Sequence, residues 1–142
     1  MDEQYALQRF VAAQHNVMPA VFDELRAGRK HTHWMWFVFP QLAGLGRSAM
    51  AQRYALSGVA EARAYLLHPV LGQRLRLCSE LVLAAPRRTA HAVFGSPDDL
   101  KFHSCMTLFA ALESNTIFAR NLLRYFEGQP DPATLALLGA YA

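Results

Sequence analysis

Apolar residues along this chain recur mainly three and four positions apart, the spacing that gathers one face of a helix, while the strict alternation of a half-buried strand is rare. Ala6, Phe10, Val11 and Ala13 define a first short helix. A second begins near Pro19, whose fixed φ suits a first helical position. It buries Val21, Phe22 and Leu25, turns Asp23, Glu24 and Arg26 outward and ends at Gly28. Arg29-Lys30 then opens a polar connection.

The stretch from His31 to Gln41 breaks the pattern, because six large apolar residues, Trp34 to Phe39, follow one another without interruption. Such a segment must be buried on most sides. As a strand it would need a partner for its backbone donors, and no other segment offers a convincing one. The expectation is a helical or irregular segment threaded through the core and ended by Pro40, which disfavours helical geometry at Phe39.

After the loop Gly44-Leu45-Gly46-Arg47-Ser48, Ser48 is a good N-cap for a helix carrying Met50, Ala51, Tyr54 and Ala55. Ser57 can cap another, with Glu61 in its first turn and Ala62, Tyr65 and Leu66 on its apolar side, until His68-Pro69 breaks it. The next helix has Leu71, Leu75, Cys78 and Val82 on one stripe, widened by Leu77, Leu81 and Ala84, and stops at Pro86. Gly72 inside it costs about 1 kcal/mol relative to Ala, which a close backbone contact would explain.

Thr89 caps a segment to Phe94, and Gly95 follows it as a helix-ending residue. Ser96-Pro97-Asp98-Asp99 opens a helix to about Leu112 whose apolar residues spread around most of its circumference, marking a central element. Segments from about Asn115 to Phe126, closed by Gly128, and from Asp131-Pro132 through Leu138 complete the series. The predicted fold is all α: a single multihelical domain over residues 1–142, with seven or eight short helices around one or two buried central ones.

Composition supports a packed core, with 53% apolar and 18% charged residues and nine Phe, five Tyr and two Trp, so disorder is excluded. The apolar run is far short of the roughly 20 residues a membrane-spanning helix needs. Met1-Asp2-Glu3-Gln4 is acidic and polar where a secretory signal would be basic and then apolar, so a cytoplasmic location away from membranes is expected. The net charge of +3 comes mostly from scattered arginines, Lys30 and Lys101 being the only lysines, and dedicated nucleic-acid recognition is not indicated. Cys78 and Cys105 sit in apolar helical patterns without a Cys-x-x-Cys spacing and read as buried reduced thiols.

Candidate chemistry is sparse. Lys101, Ser104 and Thr107 follow at intervals of three and share one helix stripe. That stripe is either a wet helix face or a pocket wall offering a cation and two hydroxyls to an anionic or sugar-like ligand. His103 falls on the opposite side, with Asp99 one turn earlier as its expected partner. Gly44 to Ser48, with Arg47 adjacent, is either a structural tight turn or a minimal anion cradle, though it lacks the phosphate-loop pattern. His31-x-His33 has no carboxylate at a ligand spacing, so neither a metal nor a cofactor is expected. His33 flanks the aromatic run, where it is either a hydrogen-bonded core-edge histidine or, beside a pocket, a general acid or base. Trp34 and Trp36 are core anchors or, alternatively, stacking platforms. Asp98-Asp99 caps a helix and forms no glycosidase dyad.

Together, Arg9-Phe10, Gln14, Gly28-x-Lys30, His33-Trp34-Met35-Trp36, Phe39-Pro40-Gln41, Gly44-Leu45-Gly46-x-Ser48 and Tyr54 resemble the signature of the Domain of Unknown Function 1810 family. The likeness continues through Glu61-Ala62, Ala64-Tyr65-Leu66, His68-Pro69, Leu71-Gly72, Arg74-Leu75, Phe94-Gly95, Asp98-Asp99-x-Lys101, Ser104 and Thr107-Leu108-Phe109. It covers nearly the whole chain. The resemblance implies a small bacterial and fungal multihelical domain without an established activity. Some members carry a calpastatin-like label, which implies a disordered inhibitor, whereas this composition is that of a packed globule.

A binding module follows as the first expectation. Its pocket would be lined by Lys30, His33, Trp36, Gln41, Arg47, Lys101 and Ser104, with Ser48 and Thr107 beside them, for a small anionic or nucleotide-like metabolite. The order of a Gly-Arg-Ser turn, a His-Pro-x-Leu helix start and a later polar helix is also similar to the family that processes ADP-ribose-linked and riboflavin-pathway metabolites, though that family's Trp-Gly motif is missing. This implies the alternative of a hydrolase of N-glycosidic or phosphoester bonds, with His33 as acid or base and Lys101 stabilising negative charge. A protein-interaction domain is the third possibility, signalled by a large exposed apolar patch.

Overall fold

The computed structural model describes residues 5–141, and among them ten helices and no strand. In order these are α1 (Gln8–His15), α2 (Met18–Ala27), α3 (Met35–Val38), α4 (Ala49–Arg53), α5 (Val59–Leu67), α6 (Leu71–Ala84), α7 (Ala90–Phe94), α8 (Asp98–Leu112), α9 (Ile117–Phe126) and α10 (Pro132–Tyr141). None is long and apolar enough to cross a membrane. The acidic start, Met1 to Gln4, lies outside the described residues.

Local chemistry sets most boundaries where the sequence puts them. Ser48 Oγ accepts from the Ala51 amide at 3.1 Å and Thr89 Oγ1 from the Ala92 amide at 3.0 Å, capping α4 and α7. Gly28 ends α2 in the left-handed region at φ 74°. Two helix starts differ from expectation. Ser57 does not cap α5; instead the Glu61 carboxylate reaches back to accept from the Ser57 amide at 2.8 Å, and the helix begins after Gly58. His68, read from sequence as the break before a His-Pro-x-Leu helix start but not as a cap, caps α6, its Nδ1 accepting from the amides of Val70 (3.1 Å) and Leu71 (3.2 Å).

Helix α8 is the central element and packs against α5, α7, α9 and α10. Phe102 and Phe109 on it are fully buried. Phe39 meets Phe102 edge-on at 5.1 Å between ring centroids, and Phe94 stacks on Phe102 at 4.7 Å, so the end of the aromatic run is locked to the centre of the molecule. The run itself forms α3, a single turn with Met35, Phe37 and Val38 buried. A helix this short is not self-supporting. Its Phe37 carbonyl is taken up by Gln14 Nε2 (2.7 Å) and the Tyr65 hydroxyl (3.2 Å), which satisfy a terminal acceptor in the dry core.

After α3 the chain makes the one strand-like pairing among the described residues. This is a parallel bridge of Leu42 with Leu56, in which the Leu56 amide donates to the Gln41 carbonyl at 3.0 Å and the Ala43 amide to the Leu56 carbonyl at 2.8 Å. The bridge fixes the path of residues 41–46. Arg9 anchors the same region: Nε donates to the Arg53 carbonyl, Nη2 to that of Ala55, and the guanidinium pairs with Glu61 at 3.0 Å. Gly72 has the expected close contact, since a Cβ there would lie 2.0 Å from the Leu66 carbonyl oxygen.

One expectation is overturned outright. Glu24 does not face out but is only 8% exposed. Its Oε1 accepts from the amides of His31 (2.7 Å) and Thr32 (3.0 Å) and from Trp34 Nε1 (3.0 Å), while Oε2 accepts from Thr32 Oγ1 (2.6 Å). Burial by itself would raise the pKa of this carboxyl, but the donors from Thr32, His31 and Trp34 outweigh it and hold it at about 2. A buried carboxylate is therefore what shapes residues 31–34.

Candidate functional site

Three segments meet over the polar stripe of α8: the 41–46 loop after the aromatic run, the start of α8 itself, and the 129–133 connection into α10. Between them lies an open cleft of about 300 Å³. Gln41, Leu45 and Gly46 form one side, Pro97, Leu100, Lys101, His103 and Ser104 the floor, and Asp131 and Ala133 the other side. Gln41 and Lys101 also line, with Trp36 and Tyr54, a narrow recess of about 10 Å³ with room for about one water molecule.

Two lysines share one carboxylate here. Lys30, its side chain only 6% exposed, places Nζ 2.8 Å from Asp98 Oδ2 and 5.1 Å from the centre of the Trp34 ring. Lys101 lies 3.5 Å from Asp98 Oδ1, with Nζ 5.3 Å from the Trp36 ring centre. Lys30 is thus consumed by a buried pair that ties the segment after α2 to the start of α8. The charge left unmatched by Asp98 belongs to Lys101, the lysine on the cleft floor.

Ser104 and Thr107 are not on a wet face. The connection into α10 covers both, and they are 7% and 2% exposed. Thr107 Oγ1 donates to the His103 carbonyl (2.8 Å) and accepts from the Asp131 amide (2.9 Å), which makes it an anchor behind the cleft. Ser104 Oγ lies 3.0 Å from Asp131 Oδ2 and 3.1 Å from the Leu100 carbonyl. Thr134 adds its amide (3.2 Å) and hydroxyl (2.6 Å) to the same Asp131 oxygen. Burial raises the Asp131 pKa, but the Thr134 and Ser104 hydrogen bonds and the nearby His103 lower it further, leaving it below the usual carboxylate range. Asp131 is ionised at neutral pH.

The expected pairing of His103 with Asp99 does not form. Asp99 lies 3.5 Å from His91 Nδ1 instead, while His103 Nε2 is 2.8 Å from the Gln129 carbonyl oxygen and its ring stacks on Phe126 at 3.9 Å. The covering 129–131 connection supplies a partner that helical spacing alone does not reveal. His103 consequently lines the cleft.

Of the side chains singled out from sequence, Gln41, Lys101 and Ser104 line the cleft, and Trp36 lines the adjoining recess. His33, Arg47 and Ser48 are exposed and line neither. Ser48 is occupied as the α4 cap, and the Arg47 carbonyl accepts from Gln52 Nε2 at 2.8 Å. Gly46 has a packing role: a Cβ there would fall 2.5 Å from the Ala51 Cβ and 3.1 Å from Gln41 Nε2. The cleft residues missed from sequence are Asp131 and His103. Asp131-Pro132 reads as a helix start, and its cap geometry hides the second use of the carboxylate. No group of three or more His, Cys, Asp or Glu side chains able to hold a metal occurs among the described residues.

These features define a small all-helical domain with a cleft of mixed polar and apolar lining against its central helix. The model of the family described as "Protein of unknown function (DUF1810)" matches residues 4–138, and the chain belongs to that family. Among solved structures it is similar to the crystal structure of the conserved hypothetical protein Rv1873 from Mycobacterium tuberculosis. The two share 51% sequence identity with a TM-score of 0.93, over 96% of this chain and 98% of that one. No curated protein matches the chain.

Proposed function

We propose that the domain binds a small anionic metabolite of nucleotide-like character in the cleft over α8, with Lys101 and Gln41 receiving the anionic end. The observation that carries this is the pairing of an under-neutralised cation with an uncommitted amide. Lys101 has only a share of Asp98, and the Gln41 side chain makes no hydrogen bond among the described residues, yet both line the cleft. A carboxylate or phosphate oxygen between them would accept a charge-assisted hydrogen bond from Nζ and a second from the amide. Leu45, Pro97, Leu100 and Ala133 offer apolar surface for a flat or aliphatic body. His33, the acid or base of the hydrolase alternative, lies outside the cleft, and the under-neutralised cation and uncommitted amide inside it favour binding.

Thermal denaturation with inorganic phosphate and with AMP tests this. A ligand at a hundred times its dissociation constant adds about 2.7 kcal/mol, roughly 5–10 °C in a domain of this size. Lys101→Met, which keeps an unbranched side chain of similar length beside Trp36, is expected to unfold near the wild-type temperature and to lose the ligand-induced rise. An equal rise in the variant, or none in the wild type with either probe, would contradict the proposal.

A further inference from the structure

Resting on that reading, we propose that Asp131 is the second recognition group of the cleft, that it takes a pair of ligand hydroxyls, and that the ligand class is therefore a ribonucleoside monophosphate. The two oxygens of Asp131 are used unequally. Oδ2 is contacted by Ser104 Oγ (3.0 Å), the Thr134 amide (3.2 Å) and Thr134 Oγ1 (2.6 Å). Oδ1 carries no hydrogen bond among the described residues, on a side chain that lines the cleft. Capping α10 needs only the contact to the Thr134 amide. The two further donors, from a fully buried threonine and a 7% exposed serine, pin the carboxylate by one oxygen and leave the other presented. An ionised oxygen with free lone pairs accepts two donors, and neighbouring sugar hydroxyls supply that pair.

The surroundings narrow the choice. Lys101 lies one helical turn before Ser104, which contacts Asp131, so a cation on the floor and an anion on the adjoining side stand about one turn apart. A ligand negative throughout, such as a dicarboxylate, meets Asp131 unfavourably. One that is negative at one end and rich in donors next to it matches both groups. Leu100 is 62% exposed at the cleft floor, a large apolar side chain that a flat base would cover. The volume of about 300 Å³ is at the lower end of ligand pockets, roughly 300–1,000 Å³, and suits a mononucleotide better than a dinucleotide.

Calorimetric titration of the full chain with AMP, 2′,3′-dideoxy-AMP and inorganic phosphate tests the proposal. AMP is expected to bind at least tenfold more tightly than its dideoxy analogue, since hydrogen bonds to a charged group are worth that much or more. In Asp131→Asn, which keeps the helix cap but turns the presented oxygen into a donor, the ratio is expected to fall towards one. Equal affinities for the two nucleotides in the wild type, or a ratio unchanged in Asp131→Asn, would overturn the role of Asp131. If phosphate binds in a Lys101-dependent way and AMP binds no better, the ribonucleotide class is wrong while the anion site stands. If neither probe binds, both proposals fall.

Discussion

Replacing Glu24 by Gln isolates the buried carboxylate that shapes residues 31–34. Glutamine keeps the size of the side chain but removes the charge and one acceptor, so the donors from His31, Thr32 and Trp34 lose their charge-assisted partner. The folded-state pKa of about 2 lies below the ordinary 4.5, so ionisation favours the fold, and the stabilisation is fully present above about pH 4.5 and lost as pH falls through 2. At about 1.4 kcal/mol for each tenfold change in proton affinity, the displacement corresponds to about 3 kcal/mol at pH 7. With the residue only 8% exposed, solvent screening reduces this little. Urea unfolding of wild type and variant at pH 7, 5 and 3 measures it. The stability gap is expected to be about 3 kcal/mol at pH 7, nearly unchanged at pH 5 and roughly halved at pH 3. A gap below about 1 kcal/mol at pH 7, or one that does not shrink by pH 3, would refute the assignment.

Two further outcomes follow from the packing. Gly72→Ala drives a Cβ to 2.0 Å from the Leu66 carbonyl oxygen, so α5 and α6 must separate. A loss of about 3 kcal/mol or more is expected in urea unfolding, and an unchanged midpoint would show that the junction yields freely. Burial pushes the Cys78 thiol up to about 12 and the Cys105 thiol well above its ordinary value, so neither forms thiolate at neutral pH. Ellman's reagent at pH 8 is expected to find no reactive thiol in the folded protein and two after denaturation, and rapid labelling of the native chain would contradict that burial.

The fold was largely legible because its cues are local. Gly28, Ser48 and Thr89 end or cap helices through their own backbone or side-chain chemistry, and the uninterrupted run from Trp34 to Phe39 admits burial but not alternation. Glu24 reads as outward-facing because its helical position, between Asp23 and Leu25, says nothing of a loop folding back over it. The same limitation hid the environment of α8. Lys101, Ser104 and Thr107 share a stripe by spacing alone, but whether that stripe is wet depends on the 129–133 connection, which covers Thr107 and brings Asp131 against Ser104. Several polar residues of the family signature prove structural. Gln14 satisfies the Phe37 carbonyl, Arg9 ties α1 to residues 53–55, and Lys30 is spent on Asp98. Around the cleft, Gln41, Lys101 and Asp131 keep polar atoms without a full set of partners.

Two-dimensional amide NMR of the labelled protein, titrated with AMP, tests the location of that site most directly. Saturable shifts are expected at Gln41 to Gly46, at Lys101 to Ser104 and around Asp131, all bordering the cleft. Shifts centred instead on the recess of Arg63, Leu67 and Glu113, or on the groove of Asn115, Arg120 and Leu123, would contradict a ligand site over α8, as would a spectrum that does not change.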